Sequence, residues 1–371
     1  MKLTIERGAL LKSLAHIQSV VERRNTIPIL ANVLFDAKDG RLRLTATDMD
    51  LAVVDQVPVE LGQEGSTTVA AHTLFDIVRK LAEGAQVEID TAAEGQLSLR
   101  SGRSSLKLAT LASEDFPVMD AGDLPHTFTL GAESLRVLID RTRFAISTEE
   151  TRYYLNGIYL HAAEDGDSPV LRAVATDGHR LARMDVALPD GAAAMPGVIV
   201  PRKTVNEVRK LVEDTDSDVA VSLSDTKIRF AVDDTVVTSK LIDGTFPDYD
   251  RVIPVGNDKV LEVDCKPFAD AVDLVSTIST EKSRAIKLSL GSNSLVLSAT
   301  SPDAGSATEE LEVAYGDGPI EIGFNSRYLL DITAQITGDS AQFILADAAS
   351  PTVVRDSADS SALYVLMPMR V

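Results

Sequence analysis

The sequence has a single cysteine and no apolar stretch long enough to span a membrane. Cys265 can form no disulfide within its own chain, and one thiol cannot build a thiolate-rich zinc site or an iron-sulfur cluster. Glu6, Arg7 and Lys12 interrupt the N-terminal region where a secretory signal would need an apolar run. We therefore expect a cytoplasmic protein with no membrane segment, no metal and no cofactor.

Basic residues are also scarce. The chain has 36 Lys and Arg against 56 Asp and Glu, a formal net charge of -20. This total argues against nucleic-acid binding, because phosphate contacts depend on Lys and Arg that release counterions. The distribution is uneven, with 13 basic and 18 acidic residues before position 126, 15 and 21 up to position 255, and 8 and 17 after it. The acidic last third would suit a head-to-tail contact with the first, although solvated acidic surface is a commoner cause.

Common catalytic signatures are missing as well. The chain has no G-x-S-x-G elbow, no phosphate-binding G-x-x-x-x-G-K-[ST] loop and no H-E-x-x-H motif, and none of its 5 histidines are four residues apart. A hydrolase that uses Asp177 and His179 stays open as one alternative, and a protein-only scaffold without DNA as another. We predict that the protein is not an enzyme.

An internal repeat with a period of about 120 to 130 residues is the most informative feature present. Each third opens with a short alternating strand that runs into an amphipathic helix, beginning at Leu3, Phe128 and Leu261. A strand that ends in Ala-Thr follows in each third, and then a second strand and helix with further alternating strands. The pattern predicts an α+β fold with three tandem copies of one domain, each with two helices packed on antiparallel sheet.

Domain boundaries are expected where Pro, Gly and Asp cluster, near Leu124-Pro125 and between Pro254 and Asp258. They predict an N-terminal domain over residues 1–125, a central domain over 126–255 and a C-terminal domain over 256–371.

Several basic residues of the first two thirds are spaced seven apart, which two helical turns bring to one face. These pairs are Arg136 with Arg143, Arg202 with Arg209, and Lys203 with Lys210. If the helices face inward and the acidic strands outward, an acidic protein would enclose a basic hole. A solvated helix face explains the same stripes more simply, and the first helix of the last third is mostly acidic.

Several strings match one family in order and spacing: RNTIPILANVL, TRYYLNGIYL, ATDGHRLA, VIVPRK, SKLIDGTFPDYDRVIP and the C-terminal YVLMPMRV. Over essentially its whole length the chain resembles the β sliding clamp, the beta subunit of bacterial DNA polymerase III. The resemblance implies the DNA clamp fold and a ring-shaped head-to-tail homodimer that encircles double-stranded DNA without sequence preference. The implied partners are the replicative polymerase catalytic subunit, the clamp loader, repair polymerases and other proteins with a short Gln/Leu/Phe motif.

The resemblance also implies residue roles. It assigns DNA contacts to Arg24, Arg152, Tyr153, Tyr154, Arg202 and Lys203. It assigns a peptide-binding pocket to Leu155, Thr176, Gly178, His179, Arg180, Leu181, Pro247, Arg251, Val252, Asn325, Tyr328, Val365, Leu366, Met367, Pro368, Met369 and Arg370. It assigns ring closure to Ile77, Arg103 and Leu108 against Ile278, Asp303 and Glu309.

Taken without the family, some of these residues have plainer interpretations. A tyrosine pair at a strand start is more often packing, and an Asp-Gly turn is usually only a hairpin. The middle third alone has Gly178-His179-Arg180 after its Ala-Thr pair, however, so this turn has a feature that the shared fold does not require. The middle of the C-terminal string contains Pro368, which cannot donate to a sheet ladder, so we expect the last residues to leave the sheet and run along the surface.

The chain departs from the family pattern at four positions. Ser283 stands where an aromatic residue is expected at the pocket edge, and Ala349 and Pro351 replace residues of one pocket wall. Ser105 stands where a second basic residue is expected at the ring interface. The first three bear on the peptide preference and not on the presence of the site, and the last predicts that one interface ion pair is absent.

Overall fold

The computed structural model describes residues 1–23, 26–91, 95–120, 122–279 and 284–371. Six α-helices lie in this part of the chain, two in each third as predicted. Their bounds are α1 Arg7–Gln18, α2 Ala71–Lys80, α3 Ala132–Asp140, α4 Arg202–Leu211, α5 Cys265–Ser276 and α6 Ser326–Thr333. None of the described helices is both long and apolar enough to cross a membrane.

The first third contains nine strands: β1 Lys2–Glu6, β2 Asn32–Lys38, β3 Arg41–Thr47, β4 Leu51–Pro58, β5 Glu60–Gln63, β6 Gly65–Ala70, β7 Gln86–Asp90, β8 Gln96–Ser101 and β9 Ser104–Leu111. The middle third contains eight: β10 His126–Gly131, β11 Gly157–Asp165, β12 Ser168–Thr176, β13 Arg180–Ala187, β14 Val198–Pro201, β15 Asp218–Leu223, β16 Lys227–Val232 and β17 Thr235–Lys240. The last third contains eight: β18 Lys259–Asp264, β19 Ala285–Gly291, β20 Ser294–Ser301, β21 Gly305–Glu312, β22 Ile320–Asn325, β23 Ser340–Leu345, β24 Thr352–Asp356 and β25 Ala362–Leu366.

Helix starts follow local capping. The Glu6 carboxylate accepts a hydrogen bond from the backbone N–H of Ala9 at 2.8 Å, which satisfies a donor that the first turn of α1 leaves unpaired. Leu10, Leu14 and Ile17 then recur at helical spacing and are fully buried. The strand-to-helix switch predicted from the sequence is therefore confirmed for the first repeat.

The structure divides into two compact units, and the middle third contributes to both. The first unit comprises Met1–Arg136, Pro189–Pro196 and Lys203–Leu241, and the second comprises Val137–Leu188, Gly197–Arg202 and Ile242–Val371. Strand pairing explains this division. In the first unit, strands of the middle third continue the sheet of the first third; in the second unit, other strands of the middle third join a sheet of the last third. The boundaries predicted at 125 and 255 stay predictions.

One 13-stranded sheet forms the first unit, in the order β10-β15-β16-β17-β4-β3-β2-β6-β9-β8-β7-β1-β5. Its β17 pairs antiparallel with β4, with Thr235 opposite Asp55 and Ser239 opposite Leu51. Antiparallel pairing throughout gives the alternation of buried and exposed side chains seen in β3 and β7.

The second unit has an eight-stranded sheet, in the order β14-β11-β12-β13-β25-β24-β23-β18, and a four-stranded sheet, β21-β20-β19-β22. Here β13 pairs antiparallel with β25, so that Arg180 lies opposite Leu366 and Leu181 opposite Val365. This pairing brings the Gly-His-Arg turn of the middle third next to the C-terminal strand.

Candidate functional site

The residues predicted to bind a peptide lie in the second unit, around the turn between β12 and β13. Asp177 shapes this turn, because its Oδ1 accepts hydrogen bonds from the backbone N–H groups of His179 and Arg180 at 2.9 and 3.0 Å. Gly178 has a φ of +87°, and a Cβ there would lie 2.5 Å from Nη1 of Arg152. The left-handed backbone therefore favours glycine at this position, and any side chain there would also displace the end of Arg152.

Arg180 is the buried centre of the site. Its Nε donates to Asp177 Oδ2 at 3.1 Å, its Nη1 to Asp331 Oδ2 at 2.5 Å and its Nη2 to the Phe144 carbonyl oxygen at 2.6 Å. The guanidinium also lies over the ring of Tyr328, 4.3 Å from the centroid. Because all three of its nitrogens have partners within the fold, Arg180 holds the neighbouring side chains in place.

Apolar residues form the floor beside this turn. Leu155, Leu181 and Val365 belong to a buried cluster that also contains Phe246 and Tyr249. These side chains are almost inaccessible to solvent. They can support a bound apolar side chain mainly by shaping the base of the pocket.

The exposed wall is formed by the segment that follows Phe246. Pro247 and Val252 are exposed, and the side chain of Arg251 is 84% exposed in an ion pair with Asp248 at 2.7 Å. A short 3-10 helix over Tyr249–Val252 positions these residues. An exposed valine beside a buried aromatic cluster is suited to an apolar ligand.

Asn325 and Tyr328 lie at the start of α6. The Asn325 side chain accepts from the backbone N–H of Arg327 at 3.0 Å and caps the helix. The rings of Tyr328 and His179 stack with their centroids 6.4 Å apart. Burial raises the pKa of the Tyr328 hydroxyl, so this side chain stays neutral.

The C-terminal residues leave the eight-stranded sheet after Leu366, as Pro368 predicted, but Met369 forms an isolated antiparallel bridge with Gly323 of β22. Two backbone hydrogen bonds thus keep the segment attached to the fold. The Met367 N–H donates to the His179 carbonyl oxygen at 2.9 Å, and the Met369 N–H to the Gly323 carbonyl oxygen at 2.8 Å. Met367 and Arg370 are exposed. The chain end therefore borders the turn with a thioether side chain that can adjust to a ligand.

A cleft of about 480 Å³ adjoins the His179 and Tyr328 pair. It is lined by Arg143, Phe144, Ile146, Ser147, Thr148, Glu149, Asp177, His179, Arg180, Arg202, Arg327, Tyr328 and Asp331. Phe144 and Asp331, two of the partners of Arg180, were missed by sequence reasoning. For Asp331, the four-residue spacing from Arg327 on one helix was the only feature of the sequence that could have indicated its role. No feature of the sequence indicated the role of Phe144.

The predicted DNA-contacting residues differ in solvent exposure and in their contacts. Arg24 lies outside the described residues. Tyr153 is 53% exposed, whereas Tyr154 packs against the buried cluster. Arg152 forms an ion pair with Glu149 at 2.7 Å and lies against the Gly178 turn, next to the predicted peptide site.

Arg202 and Lys203, at the start of α4, also differ. Arg202 is exposed, whereas the Lys203 ammonium forms an ion pair with Asp48 and donates to the Val20 carbonyl oxygen at 3.1 Å. The lysine is thereby held inside the first unit, and the arginine is the more available cation of the two.

One basic pair predicted to share a helix face does not do so. Helix α3 ends at Asp140, before Arg143, which lies in a separate 3-10 turn. The Arg136 guanidinium donates to the carbonyl oxygens of Val212 and Thr215 at 2.6 and 2.8 Å, just beyond the end of α4. This prediction was wrong because the helix is shorter than the seven-residue spacing requires.

The residues predicted to close a ring lie on or beside two sheet edges. Leu108 is on β9, with Arg103 in the turn before it, and Glu309 is on β21, with Asp303 before it. Among the described residues, β21 pairs only with β20, and the Ser104–Ala109 part of β9 pairs only with β8. Both strands show the same alternation of exposed and half-buried residues. Ile77 and Ile278 are half-buried, on α2 and just after α5.

Catalytic geometry is not evident around Asp177 and His179. The Asp177 carboxylate accepts from two backbone N–H groups and from Arg180, and the His179 ring stacks on Tyr328. In the part of the chain that the structure describes, no hydrogen bond joins these two side chains, and no cluster of three or more His, Cys, Asp or Glu residues could hold a metal ion. The arrangement is that of a supported turn.

Three family models match the chain in order. They describe the N-terminal, central and C-terminal domains of the DNA polymerase III beta subunit and match residues 1–120, 129–248 and 250–370. The chain belongs to the DNA polymerase III beta subunit family. The order and coverage of the three models agree with the threefold repeat in the sequence.

Similarity to individual members of this family extends over the whole chain. The beta sliding clamp of Caulobacter vibrioides is 52% identical over 372 residues, and that of Escherichia coli K12 is 39% identical over 374, with 100% of each chain covered. A crystal structure of the sliding clamp from Bartonella birtlesii bound to griselimycin matches with a TM-score of 0.98, at 50% identity and 100% coverage of both chains. The fold is therefore the three-domain clamp fold of this family.

Two of the positions that depart from the family pattern lie in the loop between β23 and β24. The backbone N–H of Ala349 donates to Asp347 at 2.8 Å, and the Pro351 carbonyl oxygen accepts from the Asn257 side chain at 2.9 Å. Ser283 lies outside the described residues. Ser105 is exposed on β9.

Proposed function

We propose that the protein is a DNA sliding clamp that encircles duplex DNA and tethers the replicative polymerase and other replication and repair proteins. The observation that carries this proposal is similarity along the entire chain to proteins named beta sliding clamps, at 52% and 39% identity. A clamp needs no catalytic group, so the protein acts by topology and by binding.

Complementary strand edges support closure into a head-to-tail homodimer. The free edge at β9 has Arg103 and Lys107, and the free edge at β21 has Glu309, Glu310 and Glu312. Unpaired backbone groups on an edge strand are a template for pairing with another chain. Opposite charges on the two edges favour unlike over like contacts. The β9 edge of each copy then pairs with the β21 edge of the other.

A ring explains how so acidic a chain is retained on DNA. Phosphate contacts from a few exposed residues such as Arg202 and Tyr153 are too few to hold DNA at physiological salt, but they suffice to guide sliding. Retention comes from enclosure. The net charge of -20 lowers non-specific adhesion to DNA outside the ring.

The peptide site tethers the partners. Its supporting features are the apolar floor at Leu155, Leu181 and Val365, the exposed wall at Pro247 and Val252, and the adaptable Met367 beside His179. An extended segment with a Gln and a Leu/Phe end would place apolar side chains over the floor and its amide near Asn325 and Tyr328.

The test is loading on circular DNA. Incubation with a bacterial clamp loader, ATP and nicked plasmid should give a protein–DNA complex that co-elutes in gel filtration at physiological salt. Linear plasmid with free ends serves as the matched control and should retain almost none. Equal retention on both DNAs would identify ordinary DNA binding, and no retention on the circle would favour a protein-only scaffold.

A further inference from the structure

A row of polar side chains crosses the eight-stranded sheet of the second unit; Arg172 and Asp185 are buried and His161 is half-buried. His161 on β11 lies opposite Arg172 on β12, and Arg172 lies opposite Asp185 on β13. The Arg172 guanidinium donates to both oxygens of Asp185, from Nε at 2.8 Å and from Nη2 at 2.7 Å. This bidentate pair is almost fully buried, so it fixes the arginine in one orientation.

Tyr249 connects this row to the wall of the peptide site. Its hydroxyl lies 3.0 Å from His161 Nε2 and 3.3 Å from Arg172 Nη1. His161 Nδ1 lies 2.9 Å from the Ala162 carbonyl oxygen, so Nδ1 carries the proton and Nε2 is the acceptor. The hydroxyl therefore accepts from Arg172 and donates to His161.

Aromatic packing reinforces the connection. The Tyr159 ring stacks on Phe246 with centroids 4.9 Å apart, and on its other neighbour His161 at 4.6 Å. Pro247 and Val252 lie on one exposed segment, and Phe246 and Tyr249 anchor this segment to β11 and β12. The His161 hydrogen bond is therefore one of the contacts that hold this segment on the sheet.

We propose that His161 and Tyr249 are positioning residues for the peptide site, and that the site weakens when His161 gains a proton. The inference rests on the proposed tethering function. A proton on Nε2 converts the acceptor into a donor, so the Tyr249 hydroxyl faces two donors and its own hydrogen loses its acceptor. The hydroxyl still accepts from Arg172, but its own O–H is left without an acceptor and the imidazolium lies near the Arg172 guanidinium, which weakens the hold on residues 246–252.

The charges around His161 give the sign of the pH effect. Burial lowers the pKa of the His161 imidazole below its ordinary 6.5, and the positive charge of Arg172 lowers it further. The hydrogen bond to the Ala162 carbonyl and the negative charges of Asp185 and Asp250 raise the pKa and so oppose the shift. The Tyr249 hydroxyl also faces His161, and Arg183 of β13 in turn acts on that hydroxyl. Because neutral His161 is favoured in the arrangement where Nε2 accepts from Tyr249, this arrangement is most stable above pH 6.5 and loses stability as the pH falls below that value.

Peptide affinity across pH tests the proposal. The full-length protein is titrated with a fluorescent peptide of Gln-Leu-Phe type that has no ionisable side chain, between pH 8 and pH 5.5. We expect the unmodified protein to lose about fivefold in affinity over this range, which corresponds to under one pKa unit of coupling. His161→Gln, which cannot titrate, should lose much less.

Both proteins retain His179, so the difference between their pH profiles reports His161 alone. Tyr249→Phe is a second variant that keeps the ring packing, and we expect weaker binding at pH 8 with little further loss on acidification. Equal pH profiles for the unmodified protein and the two variants would overturn the proposal, even if all three bind the peptide tightly at pH 8.

A peptide-independent readout separates this inference from the proposed function. Hydrogen exchange of residues 246–252, corrected for the intrinsic pH dependence, should accelerate on acidification in the unmodified protein and stay constant in His161→Gln. Absence of peptide binding at pH 8 would refute tethering, while the exchange result would still decide the positioning role. Identical exchange in both proteins would overturn that role.

Discussion

Arg180 shows how much of the site depends on one buried charge. Its side chain is 8% exposed and pairs with both Asp177 and Asp331. Arg180→Met would remove the buried guanidinium that pairs with both carboxylates, so we expect a loss of about 3 kcal/mol in the free energy of unfolding. Denaturant titration followed by circular dichroism measures it.

The control is Arg251→Met, which removes an ion pair that is largely exposed and therefore contributes little. Equal effects of the two substitutions would show that Arg180 does not hold the turn.

Arg202 and Lys203 are adjacent but have different surroundings, which predicts a division of roles. Arg202→Ala should slow loading onto DNA several-fold and leave the melting temperature unchanged, because its side chain is exposed. Lys203→Ala should lower the melting temperature, because Asp48 loses its ion-pair partner. Loading kinetics and thermal melts on the two variants distinguish these effects. A normal melt for Lys203→Ala would show that this ion pair contributes little to stability.

The sequence predicted which residues assemble at the turn better than it predicted what their side chains do. Thr176, Gly178 and Arg180 are within five positions of one another, so the turn could be predicted from the local sequence. The partners of Lys203 and Arg136 are 155 and 76 residues away along the chain. Such pairings depend on how distant strands associate, which no local pattern specifies.

At the scale of elements, the C-terminal segment borders the predicted peptide site and is held to the fold by few hydrogen bonds. Deleting Met367–Val371 removes two backbone hydrogen bonds but leaves β25 complete. We expect a small loss of stability, about 1 kcal/mol per bond, with an unchanged dimer mass and a loss of at least about tenfold in peptide affinity.

Removing Val371 alone keeps both bonds and is the matched control for this deletion. Peptide titration and sedimentation provide the measurements. Affinity within about twofold of the full-length protein would mean that the partner site lies elsewhere.

Elements themselves were largely predictable. Two helices per third and antiparallel strands followed from the change between alternating and helical spacing. The joining of β4 to β17 and of β13 to β25 did not, because register between strands of different repeats is set by which edges remain free. Those two pairings explain why the compact units divide the middle third.

At the scale of the whole molecule, ring closure depends on contacts between unlike surfaces. Ile278→Asp would place an unpaired charge in an apolar contact at a cost of several kcal/mol. Sedimentation should then show folded monomers of 39.7 kDa. Val255→Asp, at a fully exposed position outside the predicted interface, should remain a dimer. A dimeric Ile278→Asp protein would remove this residue from the interface.

The central claim is that enclosure, and not affinity, keeps the protein on DNA. The most direct measurement is to load the protein on nicked circular plasmid, remove the loader and then cut the plasmid once with a restriction enzyme, following retention by gel filtration. We predict that the protein stays on the uncut circle and leaves the cut DNA through its free ends. Retention on the linearised DNA equal to that on the circle would contradict the account.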